Sequence, residues 1–191
     1  IGSAGNPDKV GPFFGGVKYD YRIGVTELAQ DAVTKATNLG LTNVTAGAWA
    51  GSNQPAGNLT WYEAAAFVNW LNTSTGHQAA YNLNGTATAL TLWDSGDAWD
   101  NDPGAGVELN LYRHKSAVYF LPSDDEWYKA AYHKNDGVTG NYWNYATASD
   151  TAPTAVASGI APGTAVYNGV GTAPADVDNS GGLSAWGTRG Q

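Results

Sequence analysis

Apolar and polar side chains alternate strictly over residues 17–23, where Val, Tyr, Tyr and Ile are separated by Lys, Asp and Arg. A period of two is typical of a strand with one buried face, so we predict a strand here. Residues 1–16 before it are rich in Gly and Pro and show no period. We therefore expect an irregular lead-in over residues 1–16 and the start of a domain at residue 17.

The spacing of apolar side chains changes to that of a helix over residues 26–40. Leu, Ala and Val recur there at intervals of three and four residues, which is the period of one helical face. Thr26 could cap the start of this helix with its hydroxyl, and Gly40 suits the end because a glycine readily adopts the left-handed conformation. The sequence thus predicts a helix between these two residues.

Two further helices begin with a Ser or Thr followed three residues later by Glu, the spacing of a capping box. Thr60 and Glu63 open one helix, which Gly76 would end, and Ser123 and Glu126 open the other. In a capping box each residue satisfies a backbone N–H that the first turn of the helix leaves unpaired. The side chains expected to face the core are Trp61, Ala64, Ala65, Val68 and Leu71 in the first of these helices, and Trp127, Ala130 and Ala131 in the second.

The remaining segments are poor in regular patterns. Residues 77–118 have Gly, Asn or Asp every few positions, which predicts loops with short strands. Residues 141–147 (NYWNYAT) predict a short aromatic strand, and the Ala/Thr/Pro/Gly-rich residues 147–171 predict a long surface loop. The fold class expected from these elements is α+β, with two or three helices, short and mostly antiparallel strands, and long ordered loops.

Acidic residues outnumber basic ones, and both are few. The 191 residues include 17 Asp and Glu against 9 Lys and Arg, a formal net charge of −8. So few scattered cations cannot form the positive surface that nucleic acid requires. No run of residues approaches the ~18 consecutive apolar side chains of a membrane span. We therefore expect no nucleic-acid partner and no membrane span in this chain.

The chain contains neither Cys nor Met. Disulfides, thiol nucleophiles and Cys-ligated metals are therefore excluded. Because ribosomal chains begin with Met, we expect that a segment before Ile1 was removed, for example a cleaved secretion signal. Only 14% of the residues are charged, against roughly 25% in typical soluble domains. These features favour a secreted protein that is extracellular or at the cell surface.

Four segments occur in an order that resembles a known family. They read YDYRIGVTE (19–27), NLTWYEAAAFVNWLN (58–72), FLPSDDEWYKAA (120–131) and GGLSAWGTRGQ (181–191). The family's corresponding motifs include an amphipathic W-x-x-A-x-x-[FY]-x-x-W helix and R-L-P-[ST]-x-x-E-W-E-x-A-A. The chain thus resembles the formylglycine-generating-enzyme-like, or sulfatase-modifying-factor, domain family. It is most similar to the secreted bacterial members that carry a PEP-CTERM sorting signal.

The resemblance implies a variant of the C-type-lectin-like α+β fold over residues 17–191. Oxidase members of the family hold copper with a Cys pair and convert a substrate Cys to formylglycine. That pair belongs to the C-terminal region of the family's domain, and Gln191 stands where its G-N-V-W-E-W motif would begin. Since this chain has no Cys, we expect no catalysis by these residues, and a domain that lacks its closing strands.

Two acidic clusters are candidates for binding calcium, which takes six to eight oxygen ligands. One matches the first half of an EF-hand loop, but Gly187 stands where that loop needs a bidentate Glu. The alternative is that these residues only form turns. We favour the turn-forming role, although structural calcium in the resembled family gives the metal some support. The candidate ligands are Asp176, Asp178 and Ser180 in the EF-hand-like cluster, and Asp94, Asp97, Asp100 and Asp102 in the other.

Other titratable side chains have simpler explanations. A mononuclear iron site needs two or three converging histidines, whereas His77, His114 and His133 lie in separate segments and are interpreted as surface or structural residues. Asp124 and Asp125, in the first turn of a helix with a capping Glu, stabilise the helix dipole rather than act as catalytic acids. Most Trp and Tyr residues are expected in the core, and some near the loops could stack on a sugar.

Three functions emerge as hypotheses. The first is a non-catalytic extracellular structural or recognition protein on a formylglycine-generating-enzyme-like scaffold. Self-assembly into homo-oligomers is expected with it, because a sheet without its closing strands exposes an edge that another chain can complete. The second is a metal-dependent oxidoreductase of the same family whose catalytic residues follow residue 191. The third is a calcium-dependent module that binds a carbohydrate or peptide, with a glycan or cell-surface partner.

Overall fold

In the computed structural model, the residues that can be described include three α-helices and six short strands. The α+β class expected from the sequence is confirmed at this level. The structure describes residues 1–11, 13–45, 47, 49–102 and 108–190.

The chain divides into two compact units. The first consists of Ile1–Gln30, Trp49–Pro55 and Pro122–Gln191, and the second of Asp31–Ala48 and Ala56–Leu121. The expected division into a lead-in of residues 1–16 and one domain of residues 17–191 stays a prediction. Its last residue, Gln191, lies outside the described residues.

The second unit holds two helices and two small antiparallel sheets. Helix α1 is Gln30–Asn38, whose first residue belongs to the first unit, and helix α2 is Trp61–Ser74. The strands of the second unit are β1 (Asn82–Leu83), β2 (Leu90–Thr91), β3 (Ala98–Asp100) and β4 (Leu109–His114). Strand β1 pairs with β2, and β3 pairs with β4. Buried apolar side chains pack into two clusters, Val33, Ala36, Leu41, Val44 and Phe67 in one, and Ala65, Val68, Ala80, Tyr81 and Ala117 in the other.

The first unit contains helix α3 (Asp124–Tyr132) and a short parallel pair of strands. Strands β5 (Thr154–Ala155) and β6 (Thr164–Ala165) pair within the segment that the sequence predicted to be a surface loop, so that prediction is wrong for these residues. Ala165 also forms a bridge to Gly181 on its other side. Such short strands show no period, which is why the sequence pattern missed them.

The strand predicted over residues 17–23 does not form, although burial alternates there as expected. Val17 is buried, and Tyr19 and Tyr21 are half-buried between exposed charged residues. The two tyrosine hydroxyls donate to Glu126 in α3, to its carboxylate and its backbone carbonyl respectively. The apolar face is therefore buried against a helix, and no neighbouring strand completes a ladder. Residues 141–147 likewise form no strand, only single bridges at Tyr142 and Tyr145.

Helix α1 ends as predicted but starts later. The backbone N–H of Leu41 donates to Ala36 (2.9 Å) around Gly40, whose φ is +107°, which is the Schellman arrangement. The helix does not begin at Thr26, however, because Ala29 is held in a bridge to Pro55 and the Thr26 hydroxyl donates to the Glu27 carbonyl. A pairing distant in sequence thus overrides the local capping signal.

Both predicted capping boxes are present. Thr60 and Glu63 cap α2, and Ser123 and Glu126 cap α3. The predicted core stripes are wrong at their first aromatic residues, since Trp61 is 46% exposed and Trp127 is 37% exposed. Both lie near the start of a helix, where their rings contact other aromatic side chains. Four predicted core residues are buried as expected, Ala65 and Val68 in α2 and Ala130 and Ala131 in α3. The other buried residues of these helices are Phe67, Asn72, Glu126 and Lys129.

Loss of the α3 cap has a predictable cost. Replacing Ser123 by Ala removes the hydroxyl that accepts from the Glu126 N–H (3.2 Å), so we expect unfolding free energy to fall by about 1 kcal/mol. The control is Thr73→Ala, which removes an exposed hydroxyl in the last turn of α2 and should change stability by less than about 0.5 kcal/mol. Urea unfolding of both variants measures the difference, and equal effects would contradict the capping role.

Among the described residues, no helix has both the length and the apolar character needed to cross a membrane.

Candidate ligand-binding cavity

A cavity of about 510 Å³ lies within the first unit. Its volume falls in the range of small-molecule sites, ~300–1,000 Å³. About half of its wall is the segment after β6, residues 166–175, and the rest includes residues far away in sequence such as Glu27, Trp49 and Arg189. The polar and aromatic side chains in its lining include Glu27, Trp49, Thr147, Tyr167, Ser180 and Arg189.

The floor of the cavity is built on β6 and the chain that pairs with it. On the β5 side, the Ala165 carbonyl accepts from the N–H of Val156 (3.0 Å). On the other side, the Thr164 carbonyl accepts from the N–H of Gly182 (2.8 Å). Gly181 packs so closely that a Cβ there would lie 2.7 Å from the Thr164 carbonyl oxygen. Only a glycine allows this approach, so the shape of the floor depends on the residue at this position.

Two partly exposed aromatic side chains line the cavity. Trp49 is 40% exposed and Tyr167 is 45% exposed. The Tyr167 hydroxyl donates to the carbonyl of Pro153 (2.8 Å), which anchors the ring. The Gln30 side-chain amide donates to the carbonyls of Trp49 (3.3 Å) and Gly51 (2.7 Å), which anchors the backbone beside the indole. Partly exposed rings on an anchored backbone are available for stacking.

A carboxylate and a hydroxyl converge over Gly190. A Cβ at that glycine, whose φ is +74°, would lie 2.9 Å from Oε2 of Glu27 and 3.1 Å from Oγ of Ser180. Loss of hydration raises the pKa of the Glu27 carboxyl above its ordinary value. Within the described part of the chain, no side chain or backbone group makes a hydrogen bond or ion pair with this carboxylate. Glu27 is nevertheless an exposed residue, so its carboxylate is open to water or a ligand.

A second polar atom at the cavity lacks a partner. Oγ1 of Thr147 is buried and has no hydrogen bond within the part of the chain that is described. An unpaired buried hydroxyl costs about 1–3 kcal/mol, so such groups usually bind water or a ligand. Arg189 also lines the cavity, with its guanidinium donating to the carbonyl of Asp178 (2.8 Å) and its N–H to that of Val25 (2.8 Å).

The EF-hand-like cluster forms a 3₁₀ turn, Val177–Asn179, flanked by Asp176 and Ser180. Asp176 and Asp178 are exposed, and the Asp178 carboxylate accepts from the Asn53 side chain (3.0 Å). The Ser180 hydroxyl donates to the carbonyl of Val177 (3.2 Å). These contacts are those of a turn, and calcium at this cluster stays a prediction.

The structure distributes the other acidic cluster along strand β3. Asp97 precedes the strand and lies 3.8 Å from the Lys115 ammonium and 4.0 Å from His114. Asp100 is the last residue of the strand, and its carboxylate accepts from the N–H of Asp102 (2.9 Å). Asp97 and Asp100 are three residues apart, which is about 10 Å along a strand at ~3.3 Å per residue. Asp94 lies in the turn before Asp97, and the backbone carbonyl of Asp94 accepts from the N–H of Asp97 (2.9 Å).

Histidines and acids were expected to be structural, and the described contacts fit that role. His133 is fully buried, and its Nδ1 accepts from the Asn135 N–H (3.0 Å) while Nε2 contacts the Thr139 carbonyl (2.9 Å). His77 is exposed. Across residues 1–11, 13–45, 47, 49–102 and 108–190, no group of three or more His, Cys, Asp or Glu side chains could hold a metal ion.

Sequence reasoning singled out none of the cavity's polar residues as a ligand site except Ser180, which it assigned to calcium. They come from positions as distant as 27 and 189, and no local period links them. The one available signal was the nearly uncharged, Ala/Thr/Pro/Gly-rich segment of residues 147–171, which contains Tyr167.

Comparisons with known proteins supply no relative for this chain. No family model, no curated protein and no solved structure matches it. The chemistry of the cavity is therefore the basis on which a function can be argued.

Proposed function

We propose that this chain is a non-catalytic, extracellular recognition protein that binds a small polar ligand in the cavity of its first unit. The observation that carries the proposal is the buried, unpaired hydroxyl of Thr147 at a cavity that is also lined by the Glu27 carboxylate and by two partly exposed aromatic side chains. Binding sites commonly combine aromatic walls with a few polar groups that fix the orientation of the ligand.

The scaffold belongs to the same proposal. We propose a formylglycine-generating-enzyme-like domain with the C-type-lectin-like fold, supported by the sequence segments 19–27, 58–72, 120–131 and 181–191. Secretion is supported by the low share of charged residues. Self-assembly and calcium binding remain separate proposals that the cavity does not require.

The cavity's chemistry favours binding over hydrolysis. Glycoside hydrolases mostly need two carboxyl groups on opposite sides of the bond that breaks. Glu27 is the only carboxylate among the described residues that line the cavity. A single carboxylate can hold a ligand by accepting its hydrogen bonds, and the absence of any Cys in the sequence leaves no residue for the family's copper chemistry.

The test is a binding screen with the full chain. Neutral saccharides, free amino acids, tripeptides and choline are titrated separately while Trp fluorescence is recorded, and each hit is repeated with Trp49→Phe. We expect one class to bind and its fluorescence change to diminish when the indole is replaced. If no class binds, or if the signal is unchanged in the variant, the proposed function is wrong.

A further inference from the structure

Glu27, Thr147, Ser180 and Arg189 give the cavity a mixed hydrogen-bonding character. An ionised carboxylate only accepts, a guanidinium only donates, and a hydroxyl does both. A ligand that satisfies all three kinds of group must itself both donate and accept at several positions. Hydroxyl groups on adjacent carbons have that property.

The charges at the cavity argue against an ionic ligand. Arg189 opposes a cation, and Glu27 opposes an anion. The chain's net charge of −8 also repels anions at longer range. A neutral ligand meets neither penalty, and its polar groups can pair with each charged residue through a charge-assisted hydrogen bond.

An apolar ligand and an extended peptide also fit poorly. An apolar ligand would cover Glu27 and Thr147 without satisfying them, which costs free energy for each buried polar group. A peptide usually adds as a strand to a free sheet edge. Strand β6 in the floor is paired on both sides, with β5 and with Gly181, so it offers no such edge.

We infer that the ligand of the proposed site is a neutral saccharide, bound without calcium. Its ring would lie against the faces of Trp49 and Tyr167, and its hydroxyls would donate to Glu27 and pair with Thr147. Aromatic faces suit the C–H groups of a sugar ring, because they are apolar and electron-rich. This inference rests on the proposed function, since it names the ligand class of the same cavity.

Calorimetry of the full chain in the presence of EDTA tests the inference. The probes are neutral trisaccharides of glucose, mannose, galactose and N-acetylglucosamine, with choline, glutamate and triglycine as the competing classes. We expect at least one trisaccharide to bind and the competing probes not to bind. Trp49→Ala and Glu27→Gln should each weaken that trisaccharide by about tenfold, since each removes a direct contact.

Matched controls separate the site from general effects of substitution. Trp61→Ala removes an indole of similar exposure in the second unit, and Asp31→Asn removes a partly exposed carboxylate on α1. Neither substitution should change the affinity. If Trp49→Ala does not fold, Trp49→Phe is measured in its place, and this variant should retain most of the binding. Binding of choline, glutamate or triglycine alone would overturn the saccharide and leave the proposed function standing. The saccharide inference would also be overturned if EDTA abolished saccharide binding, if both cavity variants kept the full affinity, or if no saccharide bound.

Discussion

Replacement of Gly181 by Ala is expected to lower the free energy of unfolding by about 3 kcal/mol, from backbone strain and a steric clash together. The residue has a φ of +117°, which side chains rarely adopt. Its new Cβ would lie 2.7 Å from the Thr164 carbonyl oxygen and 2.9 Å from the Ala165 Cα. Both contacts are with backbone atoms of β6, which cannot rotate away.

Gly137→Ala is the matched control, because Gly137 has a similar φ of +97° but nothing within 4 Å of its added Cβ. It should lose only the conformational part, about 1–2 kcal/mol. Urea unfolding of both variants isolates the clash as the difference between them. Equal losses would show that the floor of the cavity is not closely packed at Gly181.

Replacement of Lys129 by Met is expected to raise the free energy of unfolding at pH 7 by about 1–2 kcal/mol. Lys129 is fully buried in α3, and its ammonium donates to the Ser3 carbonyl (3.0 Å). Burial lowers the pKa of Lys129 to about 8, although the nearby Asp20 carboxylate opposes this shift. Met fills a similar volume without a charge to desolvate, which outweighs the lost hydrogen bond.

The pH dependence of stability follows from the same residue. Because the folded pKa of Lys129 is below its unfolded value, the unfolded chain binds more protons between pH 8 and pH 10.5. Stability of the unsubstituted protein should therefore rise by about 2 kcal/mol between pH 8 and pH 10. Above pH 10 it should fall, since burial raises the pKa values of Tyr21 and Tyr142 and only the unfolded tyrosines ionise.

Unfolding midpoints between pH 7 and pH 11 check both statements. The rise between pH 8 and pH 10 should disappear in Lys129→Met and persist in Lys35→Met, which removes an ammonium whose side chain is 72% exposed. A stability that is flat over this range in the unsubstituted protein would contradict the cost assigned to the buried ammonium.

The sequence predicts this fold best where a structure depends on neighbouring residues. The capping boxes at Thr60 and Ser123 and the glycine end of α1 need only a few adjacent side chains, and all three are present. The start of α1 depends instead on the distant pairing of Ala29 with Pro55. A local pattern cannot contain that information, so the predicted start at Thr26 is wrong.

The cavity could not be predicted for the same reason. Glu27, Trp49, Thr147 and Arg189 each lie in a segment with an ordinary local interpretation, and only the fold brings them to one space. The acidic clusters were easier to notice because their members are adjacent in sequence. Residues that are close in sequence do not always lie close together in the fold. Asp97 and Asp100, for example, lie at opposite ends of β3.

The most direct test of the cavity as the ligand site is to follow the indole N–H signals of the eight Trp residues by NMR. The full chain is labelled with nitrogen-15 and titrated with the saccharide that binds most tightly in calorimetry, and Trp49→Phe assigns the Trp49 signal. We expect that signal to shift in proportion to occupancy while the Trp61 signal stays unchanged. A Trp49 signal that does not move at saturation would contradict ligand binding in this cavity.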